Sequence, residues 1–109
     1  MNLAIDVNHV EDNAKVSLAG EIDIYTADKL KEKLLPLVES INGTVHVDLE
    51  SVSYMDSTGL GVFIQAYKTA MANKSDLEII HVQERVLRLF TITGLDEILN
   101  IKKVNEGGE

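Results

Sequence analysis

Cysteine is absent from the 109 residues. That single absence excludes disulfides, thiolate metal sites and cysteine nucleophiles, and it fits a reducing compartment. Tryptophan is absent too, and aromatic residues make up only 5% of the chain, so a large aromatic-lined ligand cage is hard to build. No apolar stretch approaches the roughly 20 residues that a membrane-spanning helix needs. The start, Met1 to Asp6, has neither a basic cluster nor a following apolar run, so no signal peptide is expected. A cytoplasmic location without membrane attachment follows as the expectation. Basic residues are few: 10 Lys+Arg against 18 Asp+Glu give a net charge of -8. Such a surface repels the phosphate backbone, so nucleic acid is not an expected partner, and it suits a protein surface carrying basic groups. Solubility alone would ask for the same charge.

What is present fits one ordinary domain: 45% hydrophobic and 26% charged residues at a typical single-domain length. Ile5 and Val7, then Val16 and Leu18, alternate with polar residues as half-buried strands do, with His9 to Ala14 as the turn between them. The second strand is expected to run on to Ile22 or Ile24. A helix follows with Thr26 as N-cap and Asp28 in its first turn; Leu30, Leu34, Leu37, Val38 and Ile41 share a face, and Pro36 is expected to kink it. Val45, Val47 and Leu49 mark a strand. A helix then opens at Asp56-Ser57-Thr58-Gly59 and runs to about Asn73, with Leu60, Ile64, Tyr67 and Met71 as its stripe. Leu77 to Val82 reads as a strand, Glu84 to Thr93 as a helix stopped by Gly94, Asp96 to Leu99 as one more turn, and Ile101 to Val104 as a last short strand. The order predicts a single-domain α/β sandwich over residues 1–104: a small mixed sheet, an N-terminal hairpin followed by parallel strands, packed with three to four helices. Residues 105–109 read as a flexible C-terminal tail.

In such a sheet the loops that follow the parallel strands gather at one edge, where ligands bind. Those loops hold Asp23 to Thr26, Tyr54 to Ser57 and Val82 to Glu84, so Asp23 and Ser57 are expected to be neighbours. Asp56, Ser57 and Thr58 are all capping types, and one helix needs one cap. Either the three are redundant, or the surplus hydroxyl of Ser57 is a modification site. A phosphate there would meet free N–H groups and the positive end of the helix dipole, adding about -1.5 to -2 charges to an edge that Asp23 and Asp56 already make acidic. Gly59 and Gly61 leave the first turn bare, either for a partner's approach or for packing on the sheet.

Other constellations are set aside. Asp56-Ser57-Thr58-Gly59 carries one residue too many for an aspartic-protease motif, and Gly59-Leu60-Gly61 has Ile64 where a dinucleotide fingerprint needs its third glycine. No phosphate-loop Lys and no nucleophile elbow is present. His9, His46 and His81 are too scattered to predict a metal site, and His46 with Asp48 reads as one polar face of a strand. No cofactor and no catalytic residue are expected.

Gly20-Glu21-Ile22-Asp23 together with Tyr54-Met55-Asp56-Ser57-Thr58-Gly59-Leu60-Gly61-Val62-Phe63, and the later Arg88-Leu89-Phe90 and Ile92-Thr93-Gly94-Leu95, resemble the STAS domain. More narrowly, they resemble the bacterial anti-sigma-factor antagonists of the RsbV type, nearly end to end. That resemblance implies a non-enzymatic partner switch. The unphosphorylated antagonist binds an anti-sigma factor that is itself a serine kinase, which frees the sigma factor for general stress transcription. The kinase, using its own ATP, phosphorylates the serine matched by Ser57 and releases the antagonist, and a metal-dependent serine phosphatase resets it. By the same resemblance Asp23 matches an acidic kinase-binding position, and Asp56, Thr58 and Gly59 flank the acceptor at the contact surface. A STAS subunit of a sensory or transporter-associated complex, not switched by phosphorylation, is the alternative. A hydrolase using Ser57 with His81 as base is the third reading.

Overall fold

Alternating burial draws β1 (Leu3–Val10) and β2 (Asn13–Ile22) into an antiparallel hairpin in the computed structural model, which describes residues 2–103. Val10 pairs with Asn13, so only Glu11 and Asp12 form the turn, with Glu11 at φ 55°. The turn is tighter than the expected span His9 to Ala14. Backbone pairing continues through exposed polar residues there, because a ladder needs N–H and C=O groups rather than apolar side chains. Then come α1 (Ala27–Ser40), β3 (Thr44–Met55), α2 (Ser57–Ala72), β4 (Asp76–Val82) and α3 (Glu84–Ile92). A 3₁₀ turn at Leu95–Glu97 and β5 (Asn100–Lys103) complete the described chain. Val104, expected in the last strand, and the expected tail 105–109 lie outside the described residues.

The sheet order is β1-β2-β3-β4-β5, with β2 through β5 parallel. The order advances one way only, so right-handed crossovers place all three helices on one face. This is the mixed-sheet α/β sandwich read from the sequence. Under the helices, Val16, Ile22, Val45, Val47, Leu49 and Ile79 of the strands meet Leu30, Leu34 and Val38 of α1, all inaccessible to solvent. Phe63 of α2 and Phe90 of α3 meet with ring centroids 6.1 Å apart and planes tilted by 52°. Each fully buried side chain of this size stabilises by about 1.5–3 kcal/mol relative to exposure.

The buried face of α2 differs from the expected stripe. Gly59, Leu60, Val62, Phe63, Ala66 and Ala70 are buried, whereas Met71 is 63% exposed. As the middle helix, α2 packs on the sheet and touches both α1 and α3, so its buried arc is broad and rotated from a one-sided stripe. α1 runs through Pro36 as one helix to Ser40, whose hydroxyl donates to Pro36 O. Among the described residues no helix is long and apolar enough to cross a membrane.

The opposite face of the sheet carries no helix. Its outward side chains form cross-strand polar contacts: Lys15 to Asp48 (3.6 Å), His46 to Glu78 (3.2 Å), Lys102 to Glu78 (3.4 Å) and Asn100 Nδ2 donating to Glu78 (3.1 Å). β4 is irregular near its end, where its pairing with β5 shifts register between Ile79 and Val82. His81 adopts φ 57° at that irregularity, and its Nδ1 lies 3.1 Å from Asp48 Oδ2.

Candidate functional site

The ends of β2 and β3 are tied together where the chain leaves the sheet. Asp56 N–H donates to Ile22 O at 3.2 Å, which sets the start of α2 beside the loop that begins at Asp23. The expected neighbourhood of Asp23 and Ser57 is therefore present.

At the start of α2 the three candidate caps divide their tasks. Asp56 is the N-cap in an extended conformation, and its Oδ1 accepts from Thr58 N–H at 3.0 Å and from the Thr58 hydroxyl. Its carbonyl accepts from Gly59 N–H at 3.0 Å. Capping and its support are thus complete without Ser57. Ser57 stands in the first position of the helix, exposed, with no side-chain hydrogen bond among the described residues. Its hydroxyl sits at the positive end of the α2 dipole, open to a reagent from solvent. Nothing pairs it with a base, and His81 is directed at Asp48 instead.

Asp23 is placed differently from its expected surface role. It is 5% exposed, and its carboxylate is turned inward. Oδ1 accepts from Tyr25 N–H (2.9 Å), Thr26 N–H (3.2 Å) and the Thr26 hydroxyl (3.4 Å). The Asp23 backbone N–H in turn donates to Thr26 Oγ1 at 3.0 Å, and that hydroxyl also lies 2.8 Å from Glu21 O. Thr26 occupies the N-cap position of α1 but makes no capping bond; its hydroxyl is consumed in the turn. Buried polar groups need partners, and this turn supplies them to itself. Asp23 fixes the loop through Oδ1.

What the loop presents is apolar and aromatic. Ile24 is 68% and Tyr25 78% exposed, and Tyr54, just before Asp56, is 48% exposed. A groove of about 430 Å³ runs between the starts of α1 and α2, lined by Ile24, Asp28, Lys31, Thr58, Gly61 and Gln65 among others. The glycines separate cleanly. A Cβ on Gly59 would stand 2.6 Å from Met55 Cγ and 2.8 Å from Ile22 Cγ2, so Gly59 is buried and serves packing on the sheet. A Cβ on Gly61 would meet nothing within 4 Å, so that position leaves the groove open. Ile24, Tyr25 and Tyr54 were not singled out in the sequence. The available signal was an apolar residue or aromatic in a post-strand loop, where no core is at hand to receive it.

Comparison with known proteins matches this geometry. The STAS domain model matches residues 4–106. The anti-sigma-B factor antagonist of Bacillus subtilis (strain 168) is 45% identical over 108 residues, covering 99% of this chain and 98% of the relative. Among solved structures, an anti-sigma factor antagonist from Mycobacterium paratuberculosis superposes with a TM-score of 0.83 at 24% identity, covering 93% of this chain and 86% of the other. The Bacillus cell fate determinant SpoIIAA in its phosphorylated form superposes with a TM-score of 0.71 at 18% identity, covering 95% and 96%. Matched by the family model from the first strand onward, and by a relative of almost the same length at 45% identity, this chain belongs to the STAS domain family, among its anti-sigma-factor antagonists.

Proposed function

We propose that this protein is a cytoplasmic partner switch controlled by the Ser57 hydroxyl. Unphosphorylated, it binds an anti-sigma factor that is a serine kinase, and so releases a sigma factor to transcribe a stress regulon. Phosphorylation of Ser57 by that kinase, with ATP held by the kinase and not by this chain, ends the interaction. A metal-dependent serine phosphatase restores it. The name of the 45% identical relative supports the binding partner. The phosphorylated form of SpoIIAA supports the compatibility of this fold with a phosphoryl group.

The observation that carries the reading is the division of labour at the start of α2. Asp56 caps and Thr58 braces the cap, while Ser57 is left exposed and unbonded at a helix N-terminus. A phosphoryl group there leaves the cap intact and is welcomed by the helix dipole, so the fold survives the modification. The partner's surface does not: about -1.5 to -2 charges arrive beside Asp56 and among Ile24, Tyr25 and Tyr54, which in this reading form the apolar contact. Asp23 acts as a positioning residue that holds Ile24 and Tyr25 outward.

The test incubates the protein with the anti-sigma kinase of its own organism, ATP and magnesium, and reads intact and peptide masses. One added phosphate on Ser57, absent in Ser57→Ala, is expected, together with binding that Ser57→Ala retains and Ser57→Asp loses. No phosphate from a kinase active on another substrate, or undiminished binding by a folded Ser57→Asp, overturns the switch and favours an unswitched accessory STAS subunit.

A further inference from the structure

The helix-free face of the sheet holds a second constellation, unrelated to Ser57. His81 is 33 positions from Asp48 in sequence, but pairing of β3 with β4 and the irregular end of β4 bring them together. One donor atom each from Asp48, Glu50 and His81 lies within 4.8 Å of the other two. Asp48 Oδ1 is occupied by the Glu50 backbone N–H at 2.9 Å, which leaves Oδ2 facing His81 Nδ1 at 3.1 Å. That nitrogen is the point that asks for explanation. The atom itself is shut off from solvent although the ring is partly exposed, and what it meets is the carboxylate of Asp48, as an ion-pair contact. A ring nitrogen facing carboxylate oxygens in this way is a donor that a cation can share with them.

We propose that Asp48, Glu50 and His81 form a binding site for one divalent first-row metal ion such as zinc. One imidazole nitrogen and two carboxylate oxygens are a borderline donor set that suits zinc, and the chain has no thiolate to compete. Metal bonds of about 2.0–2.2 Å place donors on one ion about 3–3.5 Å apart, so the trio needs to close by roughly 1.3–1.8 Å at most. Glu50 is exposed and free to make that movement. Lys15 Nζ, 3.6 Å from Asp48 Oδ2, is the competing cation that the ion would displace. His46 belongs to a separate pair with Glu78 and takes no part.

The experiment titrates zinc chloride alone into the full-length protein by calorimetry in a non-chelating buffer, and follows the histidine ring nitrogens of the unaltered protein by NMR. A saturable one-to-one event is expected, with the His81 ring signals moving and those of His9 and His46 still. His81→Ala and Asp48→Asn are expected to weaken binding at least tenfold, His46→Ala to leave it unchanged, and Lys15→Gln to strengthen it about threefold. Absence of saturation, zinc shifts at His46 or His9 instead of His81, or equal affinity in a folded His81→Ala overturns the site. None of these outcomes depends on Ser57 or on the partner kinase.

Discussion

Replacing Gly59 by alanine tests whether the floor of the candidate site is as tight as the geometry states. The new methyl would sit 2.6 Å from Met55 Cγ, 2.9 Å from Met55 Sδ and 2.8 Å from Ile22 Cγ2. Carbon contacts are comfortable at about 3.5–4.0 Å, so each neighbour must retreat by about 1 Å. Met55 can rotate, but it is 3% exposed and has little space to move into. Ile22 is fully buried, β-branched and fixed on a strand. Overpacking of this kind costs about 1–3 kcal/mol, while alanine's better helix propensity offsets up to about 1 kcal/mol. With contacts this far below 3.0 Å the upper part of that cost applies, and the net expectation is a loss of about 1–2 kcal/mol. Gly61, two residues on in the same helix, is the internal control. With nothing near its Cβ, Gly61→Ala is expected to gain up to about 1 kcal/mol. Urea denaturation followed by far-ultraviolet circular dichroism reads both. At an m value of about 1–3 kcal/mol/M, the two midpoints should move in opposite directions, by about 0.3–2 M for Gly59→Ala and by up to about 1 M for Gly61→Ala. A Gly59→Ala protein at least as stable as the parent, with m unchanged, would refute the packing argument.

The buried turn at Asp23 gives a second contrast. Asp23→Ala strands the Tyr25 N–H and leaves the Thr26 N–H only the Asp23 carbonyl at 3.1 Å, and should cost about 1–3 kcal/mol in urea denaturation, whereas Asp23→Asn keeps an acceptor oxygen and should recover most of it. If Asp23→Asn is stable yet fails to bind the kinase, the charge itself matters and the positioning role is wrong. Ser57→Asp places an anion at the start of α2 and should leave stability unchanged or raise it by about 0.3–1 kcal/mol, read as a thermal midpoint; a clear fall would contradict the open setting of Ser57. Partial burial pushes the Asp48 carboxyl up, but the Glu50 N–H, His81 and Lys15 outweigh it and hold it below its ordinary value. A carboxyl depressed in the folded state contributes stability above its unfolded value of about 3.9 and loses that contribution as pH falls through the lower folded value. The stability gap between the parent and Asp48→Asn should therefore be full at pH 7 and close as the pH drops below about 4; a gap that persists undiminished at pH 2 would exclude this origin.

The architecture was legible because its signals are local: alternation in Val16-Ser17-Leu18 and Val45-His46-Val47, a proline-tolerant stripe from Leu30 to Val38, and Gly94 taking φ 77° where α3 stops. The site was legible in outline for the same reason, since three capping residues in a row at a strand-to-helix junction mark a helix start. The failures are tertiary. Nothing in the spacing of Leu60, Ile64, Tyr67 and Met71 tells that neighbours on both sides will rotate the buried arc of α2. An acid in a loop, such as Asp23, reads as exposed until the N–H groups that claim its carboxylate are located. Gly59 and Gly61 look alike in the sequence, and only the position of Met55 and Ile22 separates them. His81 met Asp48 through an irregularity in β4 that no periodicity announces.

The strands lie in the sheet in the order in which they leave the ribosome. Each new strand is laid beside the last, with no gap held open for a later one, so the loop closures are short ones. The groups that build the candidate site, from Asp23 and Thr26 to Asp56 and Thr58, all precede the end of α2 at Ala72. The candidate site is thus encoded in the first two thirds of the chain. The last two strands carry none of these groups; β4 is joined to the site through its pairing with β3, and α3 through contacts such as Phe63 on Phe90. Changes late in the chain should consequently alter how long the protein survives before they alter what it recognises.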